Sequence, residues 1–195
     1  MNSDAAKSDL AYIRQIMAET RQVTYLSGEY FVVWGLVIGL GVLGTWGQVV
    51  GYWAMSPFLI WSLAYVLGIV VTLFLVRQEC RKPVEAPAGK LVGMLWASLG
   101  VSMMINFFVG VGSGALDGQH MSGIASSLVG AAVFLTGALS GIIWLRNLAA
   151  GWWVGAAVMF IWPGEHVFLL MGFMLLALHV VPGIILIRIR HKTEA

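Results

Sequence analysis

Charge is what this chain has least of: Lys, Arg, Asp and Glu make up 10% of its 195 residues, against roughly 25% in an ordinary soluble domain. With 59% of the residues hydrophobic, a soluble fold has too little polar surface to hide the apolar remainder. No nucleic-acid partner is expected. Cysteine is nearly absent too. Cys80 stands alone, which excludes an internal disulfide, and it falls in a segment expected on the cytoplasmic side, where thiols stay reduced. A removable signal peptide is also missing. Met1 to Gly28 mixes acids and bases and has no short apolar core before a small-residue cleavage site, so the first apolar span is expected to stay in the mature chain. No composition break or Ser/Pro-rich linker points to a second domain.

Chemistry-bearing motifs are lacking as well. There is no HExxH, GxSxG, Walker lysine motif or paired CxxC. Gly39-Leu40-Gly41-Val42-Leu43-Gly44 matches the dinucleotide fingerprint GxGxxG letter for letter. It is a false match, because no strand precedes it, no βαβ unit surrounds it and it lies inside a long apolar run. Nothing argues for an enzyme, and no cofactor is indicated.

What the sequence does have is long uncharged runs. Crossing roughly 30 Å of hydrocarbon takes about 20 apolar residues at 1.5 Å each. Tyr30 to Val76, Leu91 to Leu145 and Asn147 to Ile187 contain no Lys or Arg, and each is long enough for a hairpin of two spans. Each also carries a turn signal near its middle: Gly47-Gln48 to Gly51 with Ser56-Pro57, then Gly110 to Gly123, then Trp162-Pro163-Gly164. The fold class expected is therefore all-α, a polytopic bundle of six transmembrane helices at about 30–48, 57–76, 91–111, 123–145, 148–162 and 166–187. A cytoplasmic amphipathic segment (1–28) precedes the membrane domain (29–188), and a basic tail (189–195) follows it. The fifth span, Leu148 to Trp162, is short at about 15 residues, a rise of about 22 Å.

Orientation follows from the basic residues, since cytoplasmic loops are enriched in Lys and Arg. All eleven fall on one side of the predicted membrane: Lys7, Arg14 and Arg21 before the first span, Arg77, Arg81, Lys82 and Lys90 between the second and third, Arg146 between the fourth and fifth, and Arg188, Arg190 and Lys192 after the sixth. Both termini are then expected in the cytoplasm, in a multi-pass inner-membrane protein.

Helices pack closely in lipid where small residues let backbones approach. Gly123, Ser127, Gly130, Gly137 and Gly141 share one face of the fourth helix, and GxxxG pairs occur at Gly35/Gly39 and Gly151/Gly155. Such faces pack within the chain or join copies into an oligomer. Trp34, Trp96 and Trp153 sit about six residues into the first, third and fifth spans, as an aromatic belt or a thrice-repeated hairpin would place them.

From Asp9 to Val23 an amphipathic helix is predicted, with Leu10, Tyr12, Ile13, Ile16, Met17, Thr20, Val23 and Thr24 on one face and Arg14, Gln15, Glu19, Arg21 and Gln22 on the other. Ile13 and Met17, flanked by Arg14 and Arg21, suit the inner leaflet or a cytoplasmic protein partner. Ser27 is placed to cap the first span, and Glu29 sits in its first turn, where the helix dipole favours an acid.

Four sets of residues are candidates for chemistry. His179 is ionisable and about 13 Å inside the cytoplasmic boundary, and Pro182 must disturb the helical bond to the Leu178 carbonyl beside it. It is a proton or ligand site, or a neutral imidazole bonded to a neighbouring helix. Ser98, Ser102 and Asn106 form a narrow polar stripe on the third helix, which either lines a path with His179 or spends its hydrogen bonds on helix packing. Asp117, His120, Glu165 and His166 on the outer face are zinc- or copper-ligand types without a known ligand spacing. The fourth set is the N-terminal helix face itself.

The run Ile13-Arg14-Gln15-Ile16-Met17-Ala18-Glu19, followed by Leu26-Ser27-Gly28 and by a Trp162-Pro163 turn before the last helix, resembles a group of bacterial six-helix inner-membrane proteins with an IRxxM helix and a Leu-Ser-Gly lead into the first span. The chain departs from that group at Glu29-Tyr30-Phe31, where the group repeats Ser-Gly. The resemblance implies the topology already derived and operation beside a cytoplasmic regulator, and no activity. Two functions stay open: a membrane-embedded sensor or interaction protein, which the scarcity of buried charge favours, and a proton or small-solute transporter using His179 and the third-helix stripe.

Overall fold

The computed structural model describes residues 28–79 and 87–194. The N-terminal amphipathic segment, the IRxxM and Leu-Ser residues, the Ser27 cap and Cys80 lie outside them. The described chain is an all-helical bundle with five to six long apolar helices, the architecture of a multi-pass membrane protein. The order is α1 (Gly28–Val49), α2 (Pro57–Glu79), α3 (Pro87–Met104, continued by a wider π-type run over Ile105–Val111), α4 (Gly118–Leu139), α5 (Ile143–Ile161) and α6 (His166–Leu175). A second π-type run over Leu176–Val180 joins α6 to α7 (Val181–Glu194), and the three form one rod. Residues this apolar, withdrawn from water, must satisfy their backbone groups locally, and a helix does so residue by residue.

Five of these helices are long and apolar enough to cross a membrane. The remaining long one, α5, has 19 residues, about 28 Å, and carries Arg146 in its first turn, followed by Asn147.

Here the structure differs from the sequence reading. The fourth helix runs over Gly118–Leu139 rather than 123–145, and the fifth starts at Ile143 rather than Leu148. The break is set by Gly141, whose φ of +68° only glycine adopts without strain. Around it Ile142 N–H donates to Gly137 O (2.9 Å) and Gly141 N–H to Ala138 O (3.3 Å), the paired bonds of a Schellman stop. Arg146 marks the first turn of α5, not the loop, and the fifth helix is not short.

The two helices so separated make the most extensive pair in the bundle. A Cβ added at Gly123 would meet the Phe160 ring, one at Gly130 would meet Trp153 and Trp152, and one at Gly137 would meet the Arg146 backbone. Glycines seven apart on α4 thus oppose residues seven apart on α5, in antiparallel register. Ser126 Oγ–H locks the pair by donating to Trp152 O at 2.7 Å, and Trp153 Nε1–H donates to Ser127 O at 3.2 Å. The small-residue face of α4 is therefore consumed inside the chain, apart from Gly141, which serves the turn.

Tryptophan–threonine bonds tie other pairs. Trp34 Nε1–H donates to Thr72 Oγ1 and Trp61 Nε1–H to Thr45 Oγ1 between α1 and α2, and Trp96 Nε1–H to Thr136 Oγ1 between α3 and α4, each at 3.0 Å. Trp34–Thr72 and Trp96–Thr136 hold matching places in the first two hairpins. Trp153 bonds backward to α4 instead, so the third hairpin does not follow them.

Near the start of α1 the rod comes closest. A Cβ on Gly28 would lie 2.9 Å from Gly183 O, and one on Gly183 would lie 2.8 Å from Gly28 O. The Arg190 guanidinium pairs there with the Glu29 carboxylate. The alternation of helices puts Arg77, Lys90, Arg146, Arg188, Arg190 and Lys192 at this end of the bundle, and Asp117, His120, Glu165 and His166 at the other.

Candidate functional site

The interior of the bundle holds one imidazole. Pro182 has no N–H to give to the Leu178 carbonyl, and its ring would press on that carbonyl in a regular helix. The rod answers by widening just before it: Val181 N–H reaches Leu176 O, five residues back, the pattern of a π-bulge. His179 lies within this widened turn and is 3% exposed.

Three rings from three other helices enclose it. Phe31 of α1 stacks on the imidazole with centroids 4.6 Å apart and 19° between planes. Trp96 of α3 stands edge to face at 5.5 Å and 67°, and Trp152 of α5 at 5.9 Å and 88°. Gly35 completes the approach of α1, since a Cβ there would sit 2.7 Å from Val180 Cγ2 and 3.4 Å from His179 Cβ. Four helices therefore converge on one side chain.

The box is held from behind. Trp96 is fixed by its bond to Thr136, whose own hydroxyl donates to Ala132 O at 2.7 Å. We expect Trp96→Phe and Thr136→Val each to lower stability by about 0.5–1 kcal/mol, and the double variant to lower it by less than their sum. A double-mutant cycle on unfolding midpoints in detergent measures this; strict additivity would show that the bond contributes nothing.

Polar atoms in the box are incompletely used. His179 Nδ1 and Trp152 Nε1 are both buried without a hydrogen-bond partner among the described residues. Among the described residues, no carboxylate, hydroxyl or thiol is hydrogen-bonded to the imidazole as a nucleophile–base pair requires.

The third-helix stripe lies elsewhere. Ser98 Oγ–H donates to Leu95 O (2.8 Å), Ser102 Oγ–H to Ser98 O (2.9 Å) and Asn106 Nδ2–H to Ser102 O (2.9 Å). Ser98 and Ser102 are exposed on the outside of the bundle and Asn106 is half-buried. No bond or ring contact connects them to His179.

At the far end, Asp117 caps α4. Its Oδ1 accepts from Gln119 N–H (3.0 Å) and His120 N–H (2.8 Å), and its Oδ2 pairs with His120 Nδ1 at 2.5 Å. His166 Nε2–H donates to Trp162 O at 2.9 Å, and Glu165 precedes it at the start of α6. No bond joins the two groups, and no cluster of three metal-ligand side chains occurs among the described residues. The backbone N–H of His120, foremost among the contacts, holds the Asp117 carboxyl below its ordinary pKa.

A lowered folded-state pKa means that the carboxylate's contribution is complete above the unfolded value of about 3.9 and lost as pH falls through the folded one. Asp117→Ala should lower stability by about 1 kcal/mol at pH 7. The gap between wild type and variant should close below about pH 4. Unfolding midpoints over that range check it, and a gap that persists in acid would remove the carboxylate's charge from the account.

No family model, curated protein or solved structure matches this chain. What the site does has to be read from its own residues. Among these, Phe31 and Trp152 had no flag in the sequence. The available signal was the pair Trp152-Trp153, which on a helix turns one ring inward and the other outward, together with a glycine, Gly35, opposite a buried histidine.

Proposed function

We propose that this chain is a six-span protein of the bacterial inner membrane with both termini in the cytoplasm, acting as a membrane-embedded sensor or interaction partner of a cytoplasmic protein and not as an enzyme or carrier. The gathering of Lys and Arg at one end of the bundle supports the orientation. The 19 residues of α5, a rise of about 28 Å, are long enough for a sixth crossing and so support the even number.

The observation that carries the functional reading is how the buried polar side chains are spent. Thr45, Ser122, Ser126 and Thr136 all donate to helix carbonyls, and Thr45 and Thr136 also accept from Trp61 and Trp96; the other two buried polar side chains, Ser140 and His179, each keep one atom without a partner among the described residues. Of the third-helix stripe, Ser98 and Ser102 face outward and Asn106 is half-buried and bonded to its own helix. Polar groups here fasten helices and do not line up from one end to the other, as a solute path requires. The surfaces offered to a partner are the amphipathic face expected from the sequence around Ile13, Arg14, Met17 and Arg21, which lies outside the described residues, and the exposed Arg188 and Lys192 of α7.

Single cysteines at Ser113, Ser98, Ser102 and Leu178, on a Cys80→Ser background in intact cells, test the topology and the closed interior together. Labelling by a water-soluble reagent at Ser113 alone is expected. No labelling at Ser113 would overturn the orientation, and labelling at Leu178 would favour the second reading, passage of a proton or small solute, for which the unpartnered His179 Nδ1 speaks. Capture of a cytoplasmic protein by the full chain, lost in Ile13→Glu/Met17→Glu, tests the partner. Proton or solute flux abolished by His179→Ala in a folded protein would replace this reading.

A further inference from the structure

Two of the deepest side chains in the bundle leave a ring nitrogen unused, and they are neighbours. Trp152 has no exposed surface and His179 has 3%. Their rings stand 5.9 Å apart and nearly perpendicular. Neither Trp152 Nε1 nor His179 Nδ1 has a partner among the described residues. Interiors pair the great majority of such groups, because each one left unmade costs about 1–3 kcal/mol. Two such losses at one contact, in a box that four helices converge to build, call for a common explanation.

The chemistry of the two nitrogens is complementary through a third party. An indole Nε1–H can only donate, whereas an imidazole Nδ1 accepts or donates according to tautomer. A guest that both accepts and donates satisfies both. A guest with a net charge would meet no counter-charge here, since the enclosing residues are Phe31, Trp96, Trp152 and Gly35. The guest must therefore be neutral, and with three rings centred 4.6, 5.5 and 5.9 Å from the imidazole it must also be small.

We propose that Trp152 and His179 form a binding site for a single neutral, water-sized molecule, held by donation from Trp152 Nε1–H and by donation of its own hydrogen to His179 Nδ1. The imidazole then carries its hydrogen on Nε2. The bound molecule links α5 to the widened turn of the rod, where the chain gives up regular helical bonding. Water is the available occupant. The inference does not depend on the regulatory reading, because a structural link of this kind serves a sensor and a carrier alike.

The test is water-edited solid-state NMR on the full chain in phosphatidylethanolamine/phosphatidylglycerol bilayers, with nitrogen-15 in Trp and His. Backbone correlations assign the Trp152 indole, so the result does not hang on the folding of any variant. Magnetisation transfer from water to Trp152 Nε1–H, and a His179 spectrum of the Nε2–H tautomer, are expected. His179→Phe should abolish the transfer at Trp152 while leaving it at Trp53, at the opposite end of the bundle. Absence of transfer at Trp152 with transfer present at Trp53 would overturn the proposal, as would a direct Trp152 N–H to His179 nitrogen coupling.

Discussion

Gly137→Ala should prevent the protein from accumulating in a folded form. A Cβ at this position would lie 2.3 Å from Arg146 N and 2.6 Å from Arg146 Cα. These are backbone atoms with no rotamer to escape into. The only relief is to spread α4 from α5, which opens the register that also seats Gly130 on Trp153 and Gly123 on Phe160, and stretches the Ser126 bond to Trp152 O. Overpacking a closed site costs about 1–3 kcal/mol when side chains can adjust, and here we expect about 3 kcal/mol or more, since backbone must move. The control is the same chemical change on α3. At Gly93 and Gly100 a Cβ meets nothing within 4 Å, so Gly93→Ala and Gly100→Ala should shift stability by less than about 0.5 kcal/mol. Unfolding midpoints and monodispersity of the purified variants in detergent check both halves. Equal behaviour of Gly137→Ala and Gly100→Ala would mean that α4 and α5 are not in the contact described.

That contrast also shows how far the sequence could be read. The stripe Gly123, Gly130 and Gly137 was visible as a helical face, because a spacing of seven returns to the same side of a helix. Its partner was not visible, since register between two helices depends on where the turn falls. The turn was hidden by Arg146: a charge reads as loop, yet an arginine in the first turn at a membrane boundary leaves its helix intact and reaches outward. Gly141 held the better signal. A glycine just after a helix is the common left-handed stop, but in a run with Gly123, Gly130 and Gly137 it looked like one more packing residue.

His179 was legible as an ionisable group out of place, and Pro182 as a disturbance beside it. The rings around it were not. Trp96 and Trp153 stood out at belt depth, whereas Trp152 and Phe31, which touch the imidazole, look like ordinary span residues until helix rotation is known. The Ser98, Ser102 and Asn106 stripe shows the complementary limit. Periodicity finds a face and cannot say which way it turns, and this one faces away from His179, its hydroxyls bonded to their own helix.

The second large effect is expected at the Glu29 and Arg190 pair. Both side chains are mostly withdrawn from water, with 26% and 16% of their side-chain surface exposed, respectively, and the pair lies beside a close backbone approach, Gly28 to Gly183. Glu29 is doubly placed. It sits in the first turn of α1, where the helix dipole favours an acid, and its Oε2 is buried without a hydrogen-bond partner among the described residues, so the carboxylate depends heavily on the guanidinium. Breaking a fully buried pair costs about 3–5 kcal/mol and an exposed one less than about 1. For this intermediate burial we expect about 2 kcal/mol for either Glu29→Gln or Arg190→Gln. The charge swap, Glu29→Arg with Arg190→Glu, restores the attraction but places a cation at the positive end of α1 and an acid near the last turn of α7. It should therefore recover part of the loss and not all of it. Unfolding midpoints at low and high salt decide the matter: the wild-type pair should be little affected by salt, because water and ions reach it poorly. A swap that rescues fully would assign the effect to the ion pair alone, and one that rescues nothing would assign it to packing around Gly28 and Gly183.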